Sequence, residues 1–251
     1  MLEEYPVLKN APITEALLDI RVELSKDINL ETLEEFHDHN DIKERFPVKK
    51  RRESFKSGVK VSPGGKISTL PAIGGPDGYL FQSPIAKKIV QARIDGFTFN
   101  KLKPYKSWDA FRSEARKLWD IYFQITNPIR ISRIALRYIN RIEVPLPIKD
   151  FKEYVLTTPE IAPKLPQALN HFFMRLEIPN PDIHAIALIT QTMENPTENQ
   201  RLPLILDIDV FSKMGFINSD EEMWKEFEKL RKFKNDVFFN SITEKTKELF
   251  K

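Results

Sequence analysis

The sequence lacks cysteine altogether, since none of its 251 residues is of this type. This absence excludes disulfide bonds, thiolate catalysis and metal centres ligated by cysteine. No apolar run approaches the roughly 18 residues that a membrane-spanning helix requires. The opening residues, Met1 to Tyr5, do not place a basic segment before an apolar one, so they predict no secretory signal. We therefore expect a cytoplasmic protein that makes no use of a membrane.

A strong excess of either charge is also missing. The chain has 39 lysines and arginines against 36 acidic residues, which gives a formal net charge of +3. Such a balance creates no bulk attraction for nucleic acid or for an anionic membrane. Hydrophobic residues make up 41% of the chain and 18 residues are phenylalanine. This composition is typical of a folded protein with a sizeable core.

Hydrophobic periodicity predicts a strand, a helix, several short strands and a long helix within residues 1–127. Apolar and charged residues alternate over Ile13–Leu24, which is the period of a strand with one buried face. A short helix follows, with Asn29 as its N-cap. Residues 45–102 indicate several short strands separated by turn-forming glycine clusters. Ser107 then caps a long amphipathic helix, whose predicted apolar stripe consists of Trp108, Phe111, Ala115, Leu118, Trp119 and Tyr122.

The same order of elements recurs in residues 128–251. Ile129–Val144 is predicted to be a long strand, and a short helical piece near Asp150–Leu156 leads into a proline-rich connection. The final helix is predicted to begin at Ser219, because Ser219 and Glu222 have the spacing of a capping box. Three further strands are expected between these helices, at Asn170–Ile178, His184–Met193 and Leu202–Phe211.

These two similar halves, 1–127 and 128–251, predict an α+β fold with an internal duplication. We expect a mostly antiparallel sheet with helices packed on one face, and one compact pseudo-symmetric unit. The order of elements resembles the TATA-binding-protein-like architecture. That resemblance concerns element order alone and implies no function.

The polar faces of the two leading strands carry opposite charges. Laying Ile13–Leu24 over Ile131–Ile142 matches each acidic residue of the first strand with a basic residue of the second. If the two strands are neighbours, each close pair would contribute about 0.2–1 kcal/mol. The matched residues are Glu15, Asp19 and Glu23 in the first strand, and Arg133, Arg137 and Arg141 in the second.

Short segments spread over the whole chain form a specific combination. The first is Pro6–Ala16, which contains the pattern Pro-x-Leu-x-Asn-Ala-Pro-Ile-x-Glu-Ala. The others are Asp95–Phe97, Pro104–Trp108, Arg137–Ile142, Leu206–Val210, Ile242–Glu244 and Leu249–Phe250. Together they resemble a sporadically distributed, uncharacterised bacterial protein family of about this length. The resemblance implies a complete protein of prokaryotic origin, and it implies no activity and no catalytic residue.

Asp207 and Asp209 are the best candidates for a metal site. Residues two apart on a strand point to the same side, which places these carboxylates about 6–7 Å apart at their Cα atoms. Paired carboxylates can hold a divalent cation or divide acid and base roles. Alternatively, they pair with arginines such as Arg133 and Arg137 on a neighbouring strand. No third oxygen ligand is indicated by the sequence.

The segment Lys49–Arg52, with Lys56 nearby, concentrates basic residues and offers a candidate nucleic-acid site. Phe46 and Phe55 flank it, and aromatic rings can stack on bases of single-stranded nucleic acid. The alternative is a solvated edge strand, whose cations prevent edge-to-edge pairing of sheets. The candidate binding residues are Lys49, Lys50, Arg51, Arg52 and Lys56.

Asn140 interrupts the apolar face of its predicted strand, between Tyr138 and Ile142. A buried amide needs several hydrogen bonds, so Asn140 is expected to brace a bulge or the opening Asn10–Pro12 segment. Alternatively, Tyr138 and Asn140 form the wall of a small-molecule pocket between the sheet and the long helix.

No catalytic constellation emerges from these patterns, and no cofactor is indicated. We expect a non-catalytic binding or accessory protein that acts on a protein or nucleic-acid partner through a broad sheet surface. The alternatives are a divalent-metal-dependent enzyme that uses Asp207 and Asp209, and a small-molecule-binding protein. The sequence makes no prediction of the oligomeric state.

Overall fold

A computed structural model of the chain describes residues 5–61, 67–213 and 220–251, without the side chains of residues 40, 55–73 and 220. The described helices are α1 (Leu30–Asp38), α2 (Asn40–Arg45), α3 (Trp108–Thr126), α4 (Asp220–Ser241) and α5 (Glu244–Glu248). The described strands are β1 (Ile13–Glu23), β2 (Val48–Val61), β3 (Ile67–Ser83), β4 (Lys88–Arg93), β5 (Gly96–Leu102), β6 (Arg130–Pro145), β7 (Phe173–Asn180), β8 (Ala185–Met193) and β9 (Arg201–Ser212).

All nine strands join one sheet in the order β2-β3-β4-β5-β1-β6-β9-β8-β7. Every neighbouring pair is antiparallel. The predicted α+β class, with an antiparallel sheet and helices packed against it, is therefore confirmed. The sheet is continuous across the predicted boundary between 1–127 and 128–251, because β1 and β6 are paired at its centre.

One face of the sheet carries the hydrophobic core. A row of directly paired, fully buried residues crosses seven strands and lies beneath the helices. On this side Phe36 of α1 stacks on Phe81, with ring centroids 5.2 Å apart, and Trp119 of α3 meets Phe97 edge-on at 5.9 Å. The row consists of Phe81, Val90, Phe99, Leu18, Leu136, Val210 and Ala187.

The opposite face is called the open face below. Its side chains belong to the alternate residues of the same strands, because successive residues of a strand point to opposite sides. One row across it consists of Leu80, Gln91, Thr98, Asp19, Ala135, Phe211 and Ile186.

The long helices follow the predicted apolar stripes. Ser107 caps α3, since its side chain accepts a hydrogen bond from the backbone N–H of Ala110. The α4 helix ends at Ser241, and the short α5 follows. Ser219, the predicted first cap of α4, lies outside the described residues. The predicted stripe of α3 is buried, namely Trp108, Phe111, Ala115, Leu118, Trp119 and Tyr122.

Three details of the predicted elements are corrected. β2 and β3 are 14 and 17 residues long, so the segment predicted as several short strands begins with a long hairpin. The helical piece near Asp150–Leu156 is only a 3₁₀ turn at Phe151–Glu153. β7 begins at Phe173 rather than Asn170, because the proline-rich connection extends further than predicted.

The two halves differ in content. Residues 1–127 contribute β1 to β5, whereas residues 128–251 contribute β6 to β9. β1 is flanked by the last strand of its own half, β5, and β6 is flanked by the last strand of its half, β9. The internal duplication and the TATA-binding-protein-like order stay predictions.

Candidate functional site

Asp19 is the centre of a charge network on the open face. Its Oδ1 accepts hydrogen bonds from Arg93 at 2.7 Å and from the Thr98 hydroxyl at 2.6 Å. Its Oδ2 accepts from Arg21 and from Arg133, both at 3.1 Å. Burial opposes ionisation of this carboxyl, but Arg93 and Arg21 outweigh it and hold the pKa of Asp19 below its usual value. Asp19 is therefore a carboxylate shared by three arginines.

Arg93 is the most deeply buried charge of this network, with a side chain only 3% exposed. Besides Asp19, it donates to Asp95 at 3.0 Å and to Thr98 at 2.5 Å. Its backbone carbonyl accepts a hydrogen bond from the Tyr122 hydroxyl of α3 at 2.8 Å. Burial disfavours the charged guanidinium, but the two aspartates outweigh it and the pKa of Arg93 is raised. A charge this far from water requires such a complete set of partners.

Asp207 and Asp209 extend the network onto β9. Arg137 holds Asp207 through two hydrogen bonds, of 2.9 and 2.5 Å, and Arg133 reaches Asp209 at 3.3 Å. Burial outweighs these arginines at Asp209 and raises the pKa of its carboxyl. Oδ1 of Asp209 is buried and has no hydrogen-bond partner among the described atoms. The two carboxylates therefore have the arginine partners considered above as the alternative to a metal.

A divalent cation at Asp207 and Asp209 would need further oxygen ligands. Within the described ranges, no group of three histidine, aspartate or glutamate side chains could hold a metal ion. The metal site at Asp207 and Asp209 stays a prediction. The divalent-metal-dependent enzyme that would use these two carboxylates stays a prediction as well.

The charge match predicted between the leading strands, which set Glu15, Asp19 and Glu23 in order against Arg133, Arg137 and Arg141, occurs at none of its three pairs. Asp19 meets Arg133, whereas Glu23 pairs with Arg130 and Glu15 accepts a hydrogen bond from Asn100. The antiparallel pairing explains the difference, because it reverses the direction of β6 relative to β1 and places Arg21 opposite Arg133. Of the remaining matched arginines, Arg137 pairs with Asp207. Arg141 pairs with Glu143 and Glu194.

A cleft of about 390 Å³ lies within this network. It is formed by β1, β4, β5, β6 and β9, so both halves of the chain contribute to it. Leu17 and Ala135 supply apolar surface, and Gln91 and Thr98 supply neutral polar groups. Its charged lining consists of Arg21, Arg93, Arg133, Arg137, Asp19 and Asp209.

The basic segment of β2 projects its cations to both faces of the sheet. Lys49 is opposite Phe81 on the helix side and forms an ion pair with Glu34 of α1. Arg52 forms an ion pair with Asp77. Lys50 and Arg51 are exposed, and they have no ion pair with any side chain that the structure describes. The side chain of Lys56, the fifth candidate, lies outside the described residues.

Phe46 does not offer the stacking surface that the sequence suggested. It is fully buried in the core, and its carbonyl lies 3.0 Å from the imidazole of His37. Phe46 is the C-cap of α2, which ends one residue earlier, and its backbone N–H donates to the carbonyl of Ile42. The side chain of Phe55 lies outside the described residues, so nucleic-acid stacking there stays a prediction.

Asn140 is hydrogen-bonded to the backbone next to an irregularity of the central strand pair. Its amide nitrogen donates to the carbonyl of Leu206 at 3.0 Å and to that of Tyr138 at 3.3 Å. The pairing of β1 with β6 shifts register between Ile13 and Glu15, directly opposite Asn140. Both hydrogen bonds go to β6 and β9, so Asn140 has a structural role, and bracing of the bulge opposite β1 stays a prediction. The small-molecule pocket with Tyr138 and Asn140 on its wall stays a prediction.

Tyr138 belongs to a cluster that the sequence did not reveal. Its hydroxyl lies 3.0 Å from the hydroxyl of Tyr105, and the ammonium of Lys234 lies 4.1 Å from the centre of its ring. Burial, with a further contribution from Arg231, lowers the pKa of Lys234 to about 7. Burial raises the pKa of Tyr105 to about 12. The signal available in the sequence was the position of Lys234 within the apolar stripe of α4, between Leu230 and Val237.

A second cleft, of about 1230 Å³, lies beside the proline-rich connection. Its walls include Phe151, Pro159, Asn170 and Leu202. The ion pair of Lys152 with Glu160, at 3.5 Å, is widely exposed and contributes little to binding or stability.

No described helix is long and apolar enough to cross a membrane. No protein-family model matches the chain, and no curated protein matches it either. The resemblance to a sporadically distributed bacterial family therefore stays an expectation from the sequence.

Proposed function

We propose that the chain is a non-catalytic binding protein that receives a protein partner on the open face of its sheet. One observation carries the proposal: the helices cover one face of the nine strands, while the cleft with its charge network lies on the other. In a two-layer protein, the sheet face that the described helices do not cover is the natural place for a partner.

The composition of the open face favours a protein partner. Half-buried apolar residues lie on the same face as the charged ones, among them Leu17, Ile139, Leu188 and Ile205. Protein interfaces combine apolar contact area with arginines and a polar rim in this way. The buried Oδ1 of Asp209 lacks a described partner, so a donor of the partner protein could satisfy it.

The pairing of the charges disfavours nucleic acid on this face. Arg21, Arg93, Arg133 and Arg137 each have an aspartate partner. A phosphate brought to these arginines would lie beside the carboxylates, and the repulsion would offset much of the attraction. Tight phosphate binding depends on cations that are free to replace condensed counterions.

Two substitutions on the open face test the proposal. Leu188→Arg places a bulky charge directly opposite Asp209 of the cleft, Ile205→Arg places one opposite Arg141, and Lys229→Glu on the exposed side of α4 is the control. We expect affinity chromatography from the native host to recover one protein with the wild type and the control, and to lose at least nine-tenths of it with either open-face variant. Retention of the same protein by all variants would contradict the proposal.

Nucleic acid at β2 is the second candidate, because Lys50 and Arg51 are exposed and lack a described ion pair. Binding of single- and double-stranded DNA and RNA at two salt concentrations tests it, since phosphate contacts are strongest at low salt. Binding at low salt that disappears in Lys50→Glu/Arg51→Glu would favour this candidate. Absence of binding at low salt would reject it.

We also propose that the protein acts in the cytoplasm of a prokaryote and arose by internal duplication. The first part rests on the sequence features and the family resemblance given above. The duplication is supported by the strand order, in which β1 and β6 are paired and each is flanked by the last strand of its own half.

A further inference from the structure

The two edges of the sheet differ in how they meet solvent. β2 forms one edge, and its segment Lys49–Arg52 presents four successive cations, which oppose pairing with a second sheet. β7 forms the other edge, and most of its residues are exposed. Its side chains include Phe173, which is 68% exposed, and Ile178, which is 42% exposed. Exposed apolar residues on an unpaired edge strand favour the addition of another strand.

We propose that β7 pairs with β7 of a second copy of the chain, antiparallel and centred on Leu176. A two-fold axis through this residue places Leu176 opposite itself, Arg175 opposite Glu177 of the other copy, and Met174 opposite Ile178. The interface is isologous, which is the common arrangement in homodimers. It joins the two nine-stranded sheets into one, and it adjoins the partner surface proposed above at Leu188, which is opposite Glu177, whereas Ile205 lies away from it.

Charge complementarity identifies the second copy as the occupant of this edge. Arg175 is opposite Thr190 and Glu177 is opposite Leu188 in β8, so both residues lie on the open-face side of the strand. Neither has an ion pair with the side chains that the structure describes. In the proposed register each arginine faces a glutamate and each glutamate faces an arginine. A strand with the order Arg-Leu-Glu is therefore complementary to itself when it is reversed.

The apolar residues of β7 support the same register. Met174, Leu176 and Ile178 pair with Gln191, Ile189 and Ala187 on the helix side of β8, where the core reaches the edge of the sheet. In the dimer, Met174 and Ile178 of the two copies would cover one another and Leu176 would meet its equivalent. Pro179 lacks a backbone N–H, so the paired segment ends near it.

A charge-reversal experiment distinguishes this register from other modes of association. Arg175→Glu and Glu177→Arg each place like charges opposite one another at two positions of the homodimer. We expect a wild-type dimer by analytical ultracentrifugation and at least a tenfold higher dissociation constant for each variant. Mixing the two variants in equal amounts should restore a 1:1 heterodimer, because every facing pair is then opposite in charge. The double variant Arg175→Glu/Glu177→Arg should also dimerise.

Lys229→Glu is the control and should dimerise as the wild type does. Circular dichroism checks that each variant is folded. If a single variant does not fold, the double variant still tests the same register. A wild type that stays monomeric at its highest soluble concentration would overturn the proposal. The proposal would also be overturned if the two single variants dimerise and their equal mixture has the same dissociation constant as each variant alone. Binding of the protein partner on the open face is measured separately, so failure of one proposal leaves the other distinguishable.

Discussion

At the scale of single residues, the arginines of the open face differ in how far they lie from water. The side chain of Arg93 is 3% exposed, whereas that of Arg137 is 45% exposed. Both contact an aspartate, but removing a buried partner leaves a carboxylate without compensation in a region of low dielectric constant. An exposed ion pair gains little because water and salt screen it.

Arg93→Met should therefore lower the free energy of unfolding by about 3 kcal/mol. Arg137→Met, its control on the same face, should lower it by less than about 1 kcal/mol. Urea denaturation at neutral pH, followed by circular dichroism, measures both losses. Equal losses in the two variants would show that the network is not anchored at Arg93.

The lowered pKa of Lys234 predicts that the stability of the protein depends on pH. Its pKa is lowered to about 7 in the folded protein, against 10.5 as its ordinary value, so the unfolded chain binds more protons between these limits. Stability from this group therefore rises with pH from about 7 to about 10.5. Well below pH 7, the folded protein bears the full cost of holding the half-buried Lys234 as an ammonium ion.

Lys234→Met should stabilise the protein by about 2–4 kcal/mol at pH 7, and its advantage should shrink as the pH approaches 10. Lys232→Met, on the exposed side of α4, is the control and should show no such trend. Urea denaturation at pH 7, 8.5 and 10 measures the effect. A constant difference between Lys234→Met and the wild type across this range would contradict the lowered pKa.

At the scale of single elements, local sequence patterns predicted those helices and strands whose formation depends on residues close together in the sequence. The alternation in Ile13–Leu24 predicted β1, and the apolar stripe after Ser107 predicted α3. The long hairpin of β2 and β3 was missed, because its turn-forming residues include Gly74 and Gly75, which lie inside β3 and not between two strands. Pairing with a neighbouring strand overrode the local preference of these glycines.

The start of α3 offers a test of a local interaction. The Ser107 side chain accepts a hydrogen bond from the backbone N–H of Ala110 at 3.3 Å. Ser107→Ala should lower the free energy of unfolding by about 1 kcal/mol, because one N–H of the first turn loses its acceptor. Ser113→Ala, at an exposed position inside the same helix, should leave stability unchanged or raise it slightly. Thermal denaturation distinguishes them, and equal effects would argue against the cap.

At the scale of the whole molecule, the sequence predicted the fold class and only fragments of the candidate site. Asp207 and Asp209 were recognised as a pair, and arginines were named as their alternative partners. Arg93 was not recognised, because its role depends on β4, β5 and β1 being neighbours. The order and register of nine strands depend on contacts far apart in sequence, which periodicity does not record.

The same limit applies to the charge match between the leading strands. Glu15, Asp19 and Glu23 were matched to arginines by superposition, which treats β1 and β6 as parallel equivalents. The strands pair antiparallel, so position along one strand does not give the partner on the other. The surface that results is shared by both halves of the chain, and the proposed binding function depends on it.

Site-specific photo-crosslinking in the native host tests the open face most directly. A benzophenone amino acid is placed at Leu188 or at Ile205 on the open face, and at Lys229 on the helical layer as the control. We expect the two open-face positions to crosslink the same protein and Lys229 to leave it free. Crosslinking of that protein from Lys229 alone, or of nucleic acid from the open-face positions, would contradict the account.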